Sequence, residues 1–149
     1  MKLLIYTSFL FSFLLVSCST YNDQELSNFD KEIKEFISKN DLKYEKSISG
    51  LYYNIIKEGE GDYIQITDSV SFTYEGKLLS GEIFDKQRKP ITFQVKDLIQ
   101  GWKEIIMKSK PGAELELIVP PHLGYGSHDL DDIPPNSILL FKMNILSIL

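Results

Sequence analysis

The chain has few of the residue types that enzymes use for covalent or metal chemistry. Its 149 residues include one cysteine, which excludes an internal disulfide, and two histidines, which make a poor ligand set for zinc. No serine stands in a nucleophile-elbow pattern, and no glycine-rich phosphate loop occurs. We therefore expect neither a metal nor a cofactor. Both histidines, His122 and His128, fall in a predicted loop, and we expect them at the surface.

Basic residues are outnumbered by acidic ones and form no stripe. The 16 Lys and Arg residues are outnumbered by 21 Asp and Glu, which gives a formal net charge of −5. Nucleic-acid binding is not expected from such a balance. The content of 43% hydrophobic and 25% charged residues is ordinary for a globular protein, and the length suits one domain with short additions. We expect a monomer.

A long apolar run occurs only at the start of the chain, over residues 3–16. It follows Met1-Lys2, is too short to span a bilayer comfortably, and fits the apolar region of a signal peptide. The run ends in Leu15-Val16-Ser17-Cys18, which resembles the lipobox of bacterial lipoproteins. We expect residues 1–17 to be a signal peptide and Cys18 to be lipidated. An ordinary secretory signal with an incidental cysteine is the alternative.

Residues 18–47 are predicted to hold a tether and an amphipathic helix. Residues 19–25 are small and polar, as in a tether. The helix ends at Asn40, and its apolar face is formed by Leu26, Phe29, Ile33, Phe36 and Ile37. This face either packs on the following domain, spaces that domain from a membrane, or binds a partner.

The remaining residues, 48–149, show the alternation of apolar and polar side chains that predicts short strands. The predicted strands span residues 51–57, 70–74, 83–84, 92–95, 115–119 and 139–145. One helix is predicted over residues 96–108, before Pro111-Gly112. The sum is an antiparallel sheet wrapped on one helix, which is an α+β domain.

Aromatic residues gather around the run Leu98-Ile99-Gln100-Gly101-Trp102, which holds the only tryptophan. Few of the surrounding residues are ionisable, so the set suggests an apolar pocket that binds a ligand rather than a site for nucleophilic catalysis. Taken alone, Trp102 would more often be a core residue. The full set also includes Tyr74, Phe84-Asp85, Tyr125-Gly126, Ile133-Pro134-Pro135 and Phe141.

In this order, the motifs resemble the FK506-binding protein (FKBP) family of peptidyl-prolyl isomerases. The resemblance runs from about residue 51 to the C-terminus and includes the stretch Tyr74-Glu75-Gly76-Lys77. It implies a five- or six-stranded antiparallel sheet curled around one short helix. It also implies a pocket formed by Tyr74, Phe84, Asp85, Ile91, Leu98, Ile99, Trp102, Tyr125, Ile133 and Phe141.

The resemblance assigns roles within this pocket. Trp102 is its floor, while Phe84 and Asp85 join the Ile99 N–H and the Tyr125 hydroxyl as the catalytic groups. Ile91 stands where the family often has an aromatic residue, and Arg88 is a candidate ion-pair partner of Asp85.

The implied activity is cis–trans isomerisation of proline-containing polypeptides, which needs no nucleophile because an apolar pocket favours a twisted amide. With a lipid on Cys18 and Ser19 after it, we expect a protein of the bacterial outer membrane that faces the periplasm and assists folding there. Small lipoproteins of this layout also resemble the isomerases associated with gliding motility. The alternative is a non-catalytic FKBP-like binding or recruitment lipoprotein.

Overall fold

The computed structural model describes residues 21–149, which fold as a six-stranded antiparallel sheet with two α-helices. The elements are α1 (Asp23–Lys39), β1 (Glu45–Lys46), β2 (Tyr52–Lys57), β3 (Ser69–Leu78), β4 (Ile83–Gln94), α2 (Gln100–Ile106), β5 (Glu114–Val119) and β6 (Leu139–Ile148). The strand order is β1-β2-β5-β6-β3-β4. The predicted α+β class is thus confirmed, with six strands, one short helix and a preceding amphipathic helix.

The sheet is covered on both faces by apolar clusters. The larger cluster packs α2 against one face and takes Leu117 and Phe141 from β5 and β6. The second cluster packs α1 against the opposite face, where Ile33 of the helix meets Tyr52 and Ile118. Leu117 and Ile118 fall on opposite sides because successive side chains of a strand alternate. The apolar face of α1 therefore packs on the domain.

Helix α1 starts earlier than the sequence suggested, so residues 23–25 belong to the helix and not to a tether. Asn22 is the N-cap: its Oδ1 accepts from the Glu25 N–H at 2.9 Å, and Glu25 Oε2 accepts from the Asn22 N–H at 2.8 Å. This reciprocal capping box satisfies two N–H groups that a helix start leaves unpaired. The predicted end at Asn40 is confirmed, since Asn40 is the C-cap.

The predicted helix over residues 96–108 is wrong at both ends. Residues Val95–Asp97 form a 3₁₀ turn, Leu98 and Ile99 are extended with ψ of 163° and 153°, and α2 ends at Ile106. The extended pair places Leu98 in the core at 9% exposure and makes Ile99 the N-cap of α2. Burial of Leu98 therefore prevails over the helical propensity of this stretch.

The two strands predicted over residues 83–84 and 92–95 are one continuous strand, β4. It includes the basic stretch between them, which contains Pro90. It lies at the edge of the sheet, beside β3 only. Charged residues and proline are tolerated on an edge strand because one row of its backbone groups makes no ladder bonds. The edge position thus explains why the alternation is hard to recognise there.

No helix within residues 21–149 has the length and apolar character needed to cross a membrane. The predicted signal peptide and Cys18 lie outside the described residues.

Candidate functional site

Trp102 lies at the centre of a group of aromatic rings. Its ring centroid is 4.9 Å from those of Tyr74 and Phe141 and 5.4 Å from that of Phe72, and all three pairs meet edge to face. Such pairs add about 0.5–1.5 kcal/mol beyond area burial. The indole is 7% exposed, and its N–H has no acceptor within residues 21–149. The indole ring is therefore almost fully buried, and its N–H is unpaired among the described residues.

Helix α2 holds Trp102 against the sheet because Gly101 lacks a side chain. A Cβ on Gly101 would lie 3.0 Å from Val119 Cγ1 on β5, which is tighter than nearly all real contacts. The glycine before the tryptophan thus permits the close approach of helix and strand.

Gly76 of β3 likewise permits close packing, here of the Phe84 and Phe141 rings. It pairs with Asp85 on β4 and with Phe141 on β6, at the centre of three strands. A Cβ there would lie 2.5 Å from Phe84 Cζ and 2.9 Å from Phe141 Cε1. The rings of Phe84 and Phe141, 5.6 Å apart and perpendicular, occupy the space that any larger residue would need.

Asp85 is bound by a tyrosine rather than by an arginine. The Tyr74 hydroxyl donates to Asp85 Oδ2. Burial raises the pKa of Tyr74, and the hydrogen bond and charge of Asp85 raise it further. The predicted ion pair with Arg88 is wrong, since Arg88 is exposed and is absent from the ion pairs among residues 21–149. Residues three apart on a strand point to opposite faces, which separates the two side chains.

Two donors lie on segments that border this group. Ile99 is extended ahead of α2, and its N–H donates to no backbone carbonyl of residues 21–149. Tyr125 follows the 3₁₀ turn Pro121–Leu123 and is 36% exposed. Burial, followed by the charge of Asp85, raises the pKa of Tyr125, so its hydroxyl stays protonated near that carboxylate.

The structure brings the predicted pocket residues together. Asp85 joins the set through Tyr74, and Tyr125 lies near Asp85. The other eight belong to one apolar cluster: Leu98, Trp102, Ile133 and Phe141 are buried, and Tyr74, Phe84, Ile91 and Ile99 are partly buried. The partly buried members are accessible in part from the surface. The roles of these residues in binding and catalysis stay predictions.

Sequence reasoning missed Phe72 and Gly76 as parts of the site. Phe72 precedes Tyr74 by two residues on β3, so alternation alone places both rings on one face. Gly76 lies in the motif Tyr74-Glu75-Gly76-Lys77, but its role depends on rings brought in from two other strands, so the motif alone did not reveal it.

The two histidines differ from the expectation of two surface residues. His128 is exposed, with Nδ1 lying 2.8 Å from the Tyr125 carbonyl oxygen. His122 is half-buried: its Nε2 donates to the Ser49 carbonyl at 2.8 Å, and its Nδ1 is buried with no partner within residues 21–149. The loop between β5 and β6 folds His122 inward because the segment before β2 supplies this acceptor.

A cleft of about 670 Å³ shares Tyr125 with the candidate site. It lies between the start of the described chain and the loop that follows β5. Its lining is Tyr21, Leu26, Pro121, His122, Gly124, Tyr125, Gly126, Ser127, His128 and Leu130.

Comparison with known proteins identifies the family. Residues 61–146 match the sequence profile described as FKBP-type peptidyl-prolyl cis-trans isomerase. The FKBP-type isomerase FkpA of Buchnera aphidicola (subsp. Schizaphis graminum) is 45% identical over 107 residues, covering 69% of this chain and 42% of that protein. The isomerase Mip of Coxiella burnetii is 40% identical over 104 residues, covering 67% and 45%.

Solved structures agree with these sequence relatives. The crystal structure of FkpA from Escherichia coli has a TM-score of 0.73 at 30% identity and covers 84% of this chain and 61% of that one. The crystal structure of AtFKBP13 has a TM-score of 0.66 at 30% identity and covers 70% and 98%. The chain spans about half the length of the curated relatives it matches. It belongs to the family of FKBP-type peptidyl-prolyl cis-trans isomerases.

Proposed function

We propose that the chain is a peptidyl-prolyl cis-trans isomerase acting on proline-containing polypeptides. The observation that carries this proposal is the cluster of rings around Trp102, with Tyr74 and Phe84 at its rim and Asp85 fixed beside them. The family profile and the names of the relatives support the same reaction.

The mechanism follows from the nature of the barrier. Rotation about an amide costs about 18–20 kcal/mol because the planar bond has partial double-bond character. A twisted amide has lost much of that resonance and its charge separation, so an apolar pocket binds it better than the planar form. The rings around Trp102 would receive the proline ring in this way. No covalent intermediate is required.

Two hydrogen-bond donors would orient the substrate. The Ile99 N–H and the Tyr125 hydroxyl border the pocket, and each can donate to a carbonyl of the bound chain. Because they flank the proline from different segments, they would hold the peptide while the bond between them rotates. Asp85 would keep one orientation through its bond from Tyr74.

We further propose that the protein acts outside the cytoplasm as a monomer. Residues 1–17 would be removed as a signal peptide and Cys18 lipidated, which would anchor the chain in the outer membrane facing the periplasm. There it would assist folding steps limited by proline isomerisation. A role in a gliding-motility apparatus is the narrower form of this proposal, and it depends on the layout of the chain.

The alternative, a non-catalytic recruitment lipoprotein, is less well supported. Recruitment through α1 would use its apolar face, but Ile33 is fully buried against the sheet and Phe29, Phe36 and Ile37 are partly buried there. The aromatic residues Tyr74, Phe84, Trp102, Tyr125 and Phe141 of the predicted pocket are also all present. Both observations favour the isomerase over the recruitment lipoprotein.

The test is an isomerisation assay on an X-Pro peptide with residues 1–17 removed from the protein. Wild-type protein should accelerate cis–trans exchange, and Phe84→Ala should lower kcat/KM about ten-fold because the loss of one aromatic wall is worth ~1.4 kcal/mol. Its control is Ile83→Ala, the neighbouring residue on β4 and 49% exposed, which should leave the rate unchanged. A folded wild-type protein that accelerates no X-Pro peptide would refute the proposal.

A further inference from the structure

The N-terminal segment contacts the loop that carries Tyr125. Tyr21, the first residue described, is only 8% exposed. Its ring meets Phe29 of α1 edge to face at 5.4 Å and meets His122 of the loop at 6.5 Å. Tyr21 lies well before residues 61–146, which match the family profile. A segment outside the matched region therefore packs against the loop that borders the pocket.

A short series of hydrogen bonds joins Tyr21 to the residue after Tyr125. The Tyr21 hydroxyl donates to Asn136 Oδ1 at 2.7 Å. The Asn136 N–H donates to the Gly126 carbonyl at 2.9 Å, and the Gly126 N–H donates to the Pro121 carbonyl at 2.9 Å. A Cβ on Gly126 would lie 3.7 Å from the Tyr21 oxygen, which shows how closely the hydroxyl approaches the loop.

The loop between β5 and β6 contains little regular secondary structure. Between β5 and β6 its regular structure is one 3₁₀ turn, Pro121–Leu123, and one isolated bridge between Leu130 and Ile133. Asn136 and Gly126 both take left-handed backbone conformations, with φ of 61° and 63°. A long loop of this kind loses considerable conformational entropy on ordering, so each fixed contact matters.

We propose that Tyr21 and Asn136 are positioning residues, through which the N-terminal segment holds the loop so that the Tyr125 hydroxyl stays beside Asp85. The inference rests on the proposed isomerase function, in which Tyr125 donates to the substrate. Loss of the bond between Tyr21 and Asn136 leaves the pocket rings in place, because neither residue belongs to the apolar cluster around Trp102. The expected defect is therefore in the placement of Tyr125.

The test compares variants that remove one partner of this hydrogen bond at a time. Tyr21→Phe keeps the ring and removes the donor, and it should lower kcat/KM about five-fold, the equivalent of one net hydrogen bond. Asn136→Gly removes the acceptor at a position whose positive φ glycine adopts readily, and it should have the same effect. The double variant should be no worse than either single one, because both act through one bond. Asn136→Asp keeps an acceptor oxygen and should retain most of the rate.

The matched control is Tyr52→Phe. The Tyr52 hydroxyl donates to Asp30 of α1 at 2.7 Å, so this change weakens the docking of the helix without touching the loop. It should lower the stability of the protein and leave kcat/KM unchanged. An equal loss of kcat/KM in Tyr52→Phe and Tyr21→Phe would show a general effect of helix docking and would overturn the proposal.

Amide hydrogen exchange supplies a readout that does not need activity. In Tyr21→Phe, the N–H groups of Asn136 and Gly126 should exchange at least about five-fold faster than in the wild type, while Tyr52→Phe should leave their rates relative to the core unchanged. Wild-type exchange at both amides in Tyr21→Phe would refute the role of Tyr21. An inactive wild-type protein would refute the proposed function instead, and the exchange data would still decide whether Tyr21 fixes the loop.

Discussion

At the scale of single residues, the candidate site depends on close packing around two glycines. Gly76 is buried between two perpendicular rings, and Gly101 brings α2 within van der Waals contact of β5. Tyr74 does two things, since its ring contacts Trp102 and its hydroxyl fixes Asp85. Small changes at these positions should alter activity before they alter the fold.

The first prediction at this scale concerns Gly76→Ala. The added methyl group would overlap the Phe84 and Phe141 rings, so stability should fall by about 1–3 kcal/mol and kcat/KM by ten-fold or more. Urea unfolding and the X-Pro assay measure the two effects. Adding Phe84→Leu should recover stability by making space but should not recover activity. Recovery of neither would show that the crowding lies elsewhere.

The second prediction concerns the ionisation of the site hydroxyls. Burial and the neighbouring Asp85 raise the pKa of Tyr74, so its neutral form persists above the ordinary value of about 10. The stabilisation from this hydroxyl is fully present below pH 10 and is lost only as the pH rises through the raised pKa. The ratio of wild-type to Tyr74→Phe kcat/KM should therefore be constant between about pH 6 and 9. A ratio that changes within this window would contradict a protonated Tyr74.

At the scale of elements, α1 is stabilised mainly by its packing on the sheet. A helix of 17 residues is marginal alone in water, even with a capping box. Ile33 is fully buried among Tyr52, Ile118 and Ile138, and Asp30 accepts hydrogen bonds from Tyr52 and from Lys34. Helix and sheet should therefore unfold together.

The prediction at this scale is that Ile33→Ala lowers the free energy of unfolding by about 2–4 kcal/mol, since it leaves a cavity between helix and sheet. Glu32→Ala, the exposed neighbour on the same helix, should change it by less than about 0.5 kcal/mol. Denaturant unfolding followed by circular dichroism measures both. If the two variants matched in stability, α1 would not be packed on the sheet in solution.

The sequence predicted elements best where a single face is buried. The alternation in β6 and the spacing in α1 were sufficient because each buries mainly one regular face. Strand β4 was divided because edge strands carry charges and proline, and α2 was drawn too long because tertiary burial of Leu98 cannot be read locally. In the candidate site, the order of the motifs predicted ten pocket residues, which the structure brings together. The roles of Gly76 and Asn136 depend on contacts between distant segments, which no local pattern encodes.

At the scale of the whole molecule, the protein has three layers. Helix α1 covers one face of the sheet and α2 the other, and the proposed pocket lies on the α2 side. Tyr21, which precedes α1, nevertheless contacts the loop between β5 and β6 through its bond to Asn136. The layers are thus connected at the end of the chain where we propose the lipid.

The prediction at this scale is that Cys18→Ser transfers the protein from the membrane fraction to the soluble periplasmic fraction and abolishes labelling by a fatty acid. The reason is that Cys18 supplies the only thiol to which a lipid can be attached. Fractionation and labelling of cells test it, with Ser17→Thr as the control that keeps the cysteine. Labelling that survives Cys18→Ser would contradict the anchor.

The buried position of Tyr21 limits how far an anchored protein could operate. Tyr21 follows Cys18 by three residues, and a fully extended chain spans at most ~3.6 Å per residue. The distance between the two residues is therefore no longer than about 11 Å. Tyr21 contacts the loop that carries Tyr125. The proposed pocket would therefore lie within a few side-chain lengths of the lipid headgroups. The anchored protein would then meet substrates only near the bilayer surface. This would favour polypeptides that emerge from the membrane or lie along it over those that diffuse through the periplasm.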